Sequence, residues 1–597
     1  MRNSMVLMTI AGATLVAAAA LSSSQAETAD LILTDGRVYT LEPDRPRAEA
    51  VAVRAGRILA IGDGEAIASH EGPGTVVVDL DGAFVLPGLI DNHTHFGRAG
   101  QLLLGINLLD VADSVTLGQR VAAARDRLPE GAWILGGDWG AYEEWAMGST
   151  GGGGAEVDAR ARRFTPHRDM VDPYTPSTPV LLNRWDRSAY LANSVALELA
   201  GITRDTPDPA GGTIERDPRT GEPTGILTGS AVELVQRVIP PKSFEQRVAE
   251  ARVALRRLAE NGVTGIHDIT GAQQMRVFEH LRDRGELTVR VYARPTLDEW
   301  DELATVGIRH GFGDEYLKIG GLKGFVDGIM GNSSARFREP YDHRPDERGR
   351  WRAMVLEPPG MAELIRAADS VGLTPQVHAI GDLAVDTLLD WFELAIERNG
   401  PGDHRFRMIH AQVVEPNDFE RFGELGIIAE VQPYHAIDDM RWMEERIGHE
   451  RSRGAYAFRS LLEGGAVLSF GSDWPGTNAS WYPAKPLLGI YAAVTRQTLD
   501  GMPEGGWFPE ERIDVETAIR AYTMANAFAA REEGIKGSIG VGKLADFTVL
   551  DRDITAIPAA EIKDVRVLGT IVGGQATHTD PAVAGLDRVL HSAASGG

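Results

Sequence analysis

The chain has 597 residues, 43% of them hydrophobic and 24% charged, and a formal net charge of −25. That composition is globular and long enough for one large domain with a smaller companion, and the acidic balance argues against nucleic acid or an anionic membrane as a partner. There are no cysteines, which excludes disulfides and thiolate metal sites and leaves nitrogen and oxygen as the available metal donors.

Residues 1–26 read as a secretory signal. Arg2 is positive, Met5 to Leu21 is apolar and alanine-rich, and Ser24-Gln25-Ala26 supplies small residues at the cleavage positions. The mature protein is expected to be periplasmic or secreted, with no membrane contact after cleavage; an uncleaved membrane anchor is the competing reading. Residues 27–85 hold short runs of strand character punctuated by Asp35-Gly36, Ala55-Gly56 and Asp63-Gly64, the pattern of a small all-β unit.

The apolar run from Phe84 leads into Pro87-Gly88-Leu89-Ile90-Asp91-Asn92-His93-Thr94-His95. Alternate side chains on a strand share a face, so His93 and His95 point the same way and can grip one divalent metal at about 2.0–2.1 Å per bond. Two ordinary loop histidines are the plain alternative. Between 100 and 240 the pattern changes to an insertion, with strands expected at 133–139 and 179–183 and a helical run at 192–197. An insertion after a first barrel strand lies where a lid would. Its aromatic residues, Trp139 among them, either line a substrate pocket or form the insertion's own core.

From 244 helices and strands alternate. A helix over 244–260 stops at Asn261-Gly262. Strands are expected at 263–268, 287–293, 316–327, 373–379, 405–410, 426–432 and 466–473. With the H-x-H strand that makes eight, spaced by helices, which predicts a (β/α)8 TIM barrel over 86–535. Residues 536–580 return to β character. Two matching β segments around a barrel suggest one small β-sandwich built from both chain ends, leaving 581–597 as a tail. Lys323 stands out inside the apolar fourth strand. A buried ammonium is costly unless paired and has no lone pair for a metal. Lys318, an odd number of residues away, faces the other side of a regular strand.

The P-G-x-I-D-x-H-x-H strand, the segments Gln376-Val377-His378-Ala379-Ile380-Gly381-Asp382, His410-Ala411-Gln412, Val431-Gln432-Pro433-Tyr434-His435 and Gly471-Ser472-Asp473-Trp474-Pro475, and the run Gly540-Val541-Gly542-Lys543-Leu544-Ala545-Asp546 resemble the amidohydrolase superfamily. Within it they are similar to the family-3 amidohydrolases, which include N-substituted formamide deformylases. The resemblance implies that His93 and His95 hold one metal with Asp473, that His378 and His410 hold a second, and that Lys323 bridges them as a carbamate. It implies one or two divalent ions per chain, zinc being the expected one. Water acidified there would attack a carbonyl carbon, with Asp473 taking its proton and returning it to the leaving amine. His267, His435 and Gln412 remain candidates for substrate contact or support. Relatives carry a histidine where this chain has Ser188, so no substrate preference transfers. The function implied is hydrolysis of a non-peptide carbon–nitrogen bond in a small molecule, an amide or an N-formyl or N-acyl amine, by a monomer or a homo-oligomer. An ester, lactone or cyclic-amide hydrolase on the same site is the alternative. A non-catalytic binding protein on a decayed barrel is the alternative of another class.

Overall fold

In the computed structural model, residues 27–108, 111–129, 131–140, 164–184, 188–476 and 484–591 are described. The expected signal segment, the glycine loop at 151–154 and the last six residues lie outside them. Among the described residues no helix is long and apolar enough to cross a membrane.

Two five-stranded sheets carry the centre of the chain. One runs, edge inward, Phe312–Gly313, Leu317–Ile319, Arg290–Arg294, Val263–Ile269 and Leu89–Thr94. The other runs Gly321–Phe325, Thr374–Ala379, Arg407–His410, Ile428–Val431 and Val467–Phe470. Apart from the short Phe312–Gly313 edge, neighbouring strands are parallel. The sheets touch at both ends, through parallel bridges Thr94↔Trp474 and Thr296↔Lys323. Near-continuous apolar strands joined by helices fit this arrangement, because parallel strands are covered on both faces. The first crossover helix, Phe244–Glu260, begins where the Ser243 side chain accepts from Gln246 N, and the backbone turns at Gly262 with φ +80°.

The strand expected over 316–327 is divided at Gly320. A side chain there would meet the Tyr292 ring at 2.0 Å, and one at Gly321 would meet Gln376 Nε2 at 2.0 Å. Two interior side chains occupy the space of two missing ones, so the chain bends past them and the two halves belong to different sheets.

The chain ends form two further sheets. One orders Arg57–Gly62, Ala50–Arg54, Leu31–Thr34 and Val76–Asp79. The other orders Gln575–Thr579, Val567–Val572, Phe547–Leu550, Phe84–Pro87, Arg37–Tyr39 and Arg47–Ala48. Phe547–Leu550 pairs antiparallel with Phe84–Pro87, so residues from opposite ends of the sequence are hydrogen-bonded neighbours. One apolar cluster, including Leu33, Val51, Val85, Phe547 and Ile571, draws on both sheets. The insertion builds its own six-stranded sheet, ordered Gly212–Arg216, Pro223–Gly229, Tyr190–Ala192, Val180–Arg184, Ile134–Trp139 and Ile106–Asn107.

The terminal sheets are fastened to the central strands by one buried ion pair. Arg290 Nε and Nη2 donate to Asp546 Oδ2 and Oδ1 at 2.7 and 2.9 Å, and Asp546 Oδ1 also accepts from Gly573 N at 2.8 Å. Removing one partner of such a pair leaves the other charge buried and uncompensated. Asp546→Asn is expected to cost about 3–5 kcal/mol of stability, read as a lower denaturant midpoint, with metal content unchanged.

Candidate metal centre

His93 lies near the end of the Leu89–Thr94 strand, and His95 caps the helix Phe96–Leu104 that follows. Asp473 stands three residues past the end of Val467–Phe470, in the left-handed region with φ 59°. Asp91 brings these segments together. Its Oδ1 accepts from His93 N at 3.1 Å and from Ser472 N at 2.9 Å, and Ser472 Oγ donates to its Oδ2 at 2.5 Å. Asn526 Nδ2 donates to both Ile90 O and Phe470 O, at 2.6 and 2.9 Å. Gly471 is pressed against the first strand, where a Cβ would fall 2.2 Å from Asn92 Oδ1 and 2.7 Å from His93 N.

The result is a triangle of donors. Asp473 Oδ1 is 3.1 Å from His95 Nε2 and 3.3 Å from His93 Nε2. Two ligands bound at zinc distances around one tetrahedral ion stand about 3.3 Å apart. His93 Nε2 and Asp473 Oδ1 are buried and make no hydrogen bond. Buried polar atoms are mostly satisfied, and these two unsatisfied ones face each other across 3.3 Å, the position a shared cation would fill. The donor set and its spacing fit a divalent cation held by His93, His95 and Asp473.

The second pair of histidines sits against the first. Ring centroids are 5.3 Å apart for His93 and His410, and 4.6 Å for His410 and His378. His410 ends its strand with φ 75°. Its Nδ1 is 2.6 Å from Gln432 Oε1, and Gln432 Nε2 donates to Glu430 O at 3.3 Å. An amide oxygen only accepts, so His410 Nδ1 carries the proton and Nε2 the lone pair. His378 has the opposite tautomer. Its Nε2 lies 2.9 Å from Gly328 O and 3.3 Å from Asp327 Oδ1 and so donates, leaving Nδ1 as its free donor atom. Asp327 accepts from Ile380 N, Gly381 N and Arg336 N at 3.1, 2.9 and 2.8 Å, which locks the turn after His378.

Lys323 is fully buried, its Nζ makes no hydrogen bond, and it lies 4.8 Å from the Phe325 ring centroid. Burial first, and then the Arg294 guanidinium, push its ammonium down to about 7. Lys318, by contrast, ion-pairs with Glu532 on the other side. Burial pushes the Asp473 carboxyl up, but the His93 and His95 imidazoles outweigh it and hold the group well below the usual carboxylate range. Burial, helped by Lys323, lowers His93 to about 4.

The remaining candidates are not members of the three-donor group. His267 is buried, with Nδ1 2.9 Å from Arg407 Nη1 and its ring 4.6 Å from that of Tyr292. Gln412 Nε2 donates to Asp439 Oδ2 at 3.0 Å. His435 is lowered by burial, opposed by the Asp473 charge. Trp139 packs into the insertion's core with Leu108, Ile134 and Leu182. Sequence reasoning passed over Asp91, Arg294, Asp327, Arg407 and Glu430, although all five are buried charges in apolar surroundings. The signal that singled out Lys323, one charge inside an apolar strand, was present for Arg294, Arg407 and Glu430 as well.

These burials set the acid response of the metal-free protein. His93 and His310 are lowered by burial to about 4, and His267 and His410 are held well below 6.5. Asp91 and Asp268 are raised by burial to about 6. As pH falls below 6.5 the unfolded chain protonates four histidines that the folded chain keeps neutral, which destabilises the fold. Two aspartates that protonate earlier in the folded chain oppose this. Burial lowers His435, His578 and His591 as well, so on balance the unfolded state binds more protons, and stability falls with falling pH. Unfolding midpoints of chelator-treated protein are expected to drop steeply between pH about 6.5 and 4; a flat profile would contradict the histidine assignments.

Parallel strands in chain order, joined by helices, end in an imidazole and carboxylate donor set that could hold a metal ion. The chain belongs to the amidohydrolase family, whose sequence profile matches residues 76–578. It is 35% identical to Protein LONG AFTER FAR-RED 3 of Arabidopsis thaliana, over 92% of this chain and 91% of that one. It is 27% identical to an N-substituted formamide deformylase of Arthrobacter pascens, over 91% and 97%. A crystal structure of an uncharacterized metal-dependent hydrolase from Pyrococcus horikoshii OT3 superposes with a TM-score of 0.69 at 26% identity, covering 89% of this chain and 99% of that one. The chain is an enzyme, a hydrolase that depends on a divalent metal, and the binding-protein alternative is set aside.

Proposed function

We propose that this hydrolase cleaves the carbon–nitrogen bond of a small N-formyl or N-acyl amine. The observation that carries the reading is Asp473 Oδ1, without a hydrogen bond, set 3.3 and 3.1 Å from the Nε2 atoms of His93 and His95. The likeness to the Arthrobacter deformylase supports the choice of an amide over an ester. We read the parallel strands as one closed (β/α)8 barrel, the terminal sheets as a β-sandwich, and residues 1–26 as an export signal that places the mature enzyme in the periplasm or outside the cell.

Zinc is the ion proposed. His93, His95 and Asp473 would hold one, and His410 Nε2, His378 Nδ1 and Lys323 a second. When bound, the metal supplies acidified water and a polarised substrate carbonyl. The chain's own residues do the rest. Asp473, ionised across the neutral range, takes the proton of the attacking water and returns it to the nitrogen as the C–N bond breaks, because an unprotonated amide anion is too basic to leave. Lys323 is proposed to be carboxylated. As an ammonium it is buried without a hydrogen bond, repelled by the Arg294 charge and attracted by those of Glu430 and Asp473; as a carbamate it would be drawn to Arg294 and offer two oxygens.

Elemental analysis with native mass measurement, followed by a panel of N-formyl amines, N-acyl amines, esters and lactones, tests this. Two zinc per chain, the added mass of one carbon dioxide and turnover confined to C–N bonds are expected. Turnover of the esters and lactones alone would overturn the substrate reading.

A further inference from the structure

Beneath the metal centre the interior of the central strands is ionic where apolar filling is usual. Arg294, Arg407 and Glu430 are all fully buried. We propose that Glu430, clamped between the two guanidiniums, is a positioning residue that takes the Nδ1 proton of His93 and so presents its Nε2 lone pair to the metal.

The argument is an accounting of donors. His93 Nδ1 has two neighbours at 3.1 Å, Glu430 Oε1 and Arg294 Nη2. If Arg294 donated to it, the ring proton would move to Nε2 and His93 could not be a ligand. Arg294 Nη2 has two hydrogens, and two closer acceptors take them: Asn92 O at 2.8 Å and His267 O at 2.7 Å. Its Nη1 hydrogens go to Glu430 Oε1 at 2.7 Å and Gln376 Oε1 at 3.2 Å, and Gln376 is oriented by donating Nε2 to Tyr292 OH at 2.9 Å. Both Nη2 hydrogens are taken, and the Arg294 Nε hydrogen makes no hydrogen bond to His93, so the His93 Nδ1 donates to Glu430.

The same layer explains why a nearby histidine is not a ligand. Arg407 Nη1 donates to His267 Nδ1 at 2.9 Å, leaving the proton on Nε2 and no lone pair to offer. Arg407 Nη1 also lies 3.4 Å from Glu430 Oε2. Both guanidiniums keep Glu430 an acceptor despite complete burial. Stability alone is a poor reason for such a cluster, because buried ion pairs can often be replaced by apolar residues without loss. Carboxylate-to-histidine contacts of this kind typically control metal affinity by about 10–100-fold.

The proposal rests on His93 being a zinc ligand, and the test separates the two. Metal-stripped full-length enzyme is titrated with zinc against a chromophoric chelator, alongside unfolding midpoints. Glu430→Gln is expected to weaken the tighter zinc about 10–100-fold, whereas Asp546→Asn, which destabilises the fold at a distance, leaves zinc affinity within about threefold of wild type. If Glu430→Gln fails to fold, Arg294→Lys serves, because an ammonium cannot serve both carbonyls and Glu430 in the planar fork's geometry; it too is expected to loosen zinc. Equal zinc affinity in wild type and Glu430→Gln, or equal loss in Asp546→Asn, overturns the positioning role while leaving the metal centre standing. No zinc binding by wild type overturns both.

Discussion

Asp473→Asn is expected to lower kcat by about 10²–10⁴-fold with the fold intact. The side chain is nearly isosteric, and asparagine tolerates the left-handed backbone with φ 59° that position 473 adopts. What changes is basicity. The carboxylate, 3.1 Å from His95 Nε2 and 3.3 Å from His93 Nε2, can take a proton from water and return it; a carboxamide cannot. Measuring zinc content beside kcat separates the two roles. Zinc retained with kcat lost assigns proton transfer to Asp473, and zinc lost assigns it to metal holding. A kcat within about tenfold of wild type would remove Asp473 from the chemistry.

Lys323→Met is expected to abolish most turnover while making the metal-free protein more stable. In the metal-free chain the lysine nitrogen is buried without a hydrogen bond and beside Arg294. Methionine fills a similar volume with no charge to desolvate, and replacing buried charged groups by well-packed apolar ones is often neutral or stabilising by about 1–4 kcal/mol. The paired measurement is the unfolding midpoint of the stripped variant and the kcat of the zinc-loaded one. A variant that is both less stable and fully active would show that Lys323 is an ordinary core residue.

Different parts of this protein were legible to different degrees. The parallel strands announce themselves because each is a short apolar run followed by an amphipathic helix, and periodicity is a local property. Strand ends were less legible. The segment expected over 466–473 is a strand only over Val467–Phe470, after which the chain turns so that Asp473 faces the histidines. The break at Gly320 has no local signal either, because its cause, the ring of Tyr292, lies 28 positions earlier in the sequence. The insertion's Tyr142, Trp145 and Trp185 lie outside the described residues. Trp139 belongs to the insertion's own core, as a bulky apolar side chain on a central strand of a separate sheet would.

By itself the sequence determined which residues could bind a metal and in what chemical form. With no cysteine and an H-x-H at a strand end, the donors had to be nitrogen and oxygen, imidazole and carboxylate, whereas the carbamate form of Lys323 came only with the family resemblance. Only the tertiary structure decided which nitrogen each histidine offers. His93 and His410 present Nε2, His378 presents Nδ1, and His267 presents none. The proton on an imidazole goes where an acceptor waits, and those acceptors, Glu430, Gln432 and Gly328, come from other strands and turns that the fold alone brings within hydrogen-bonding distance.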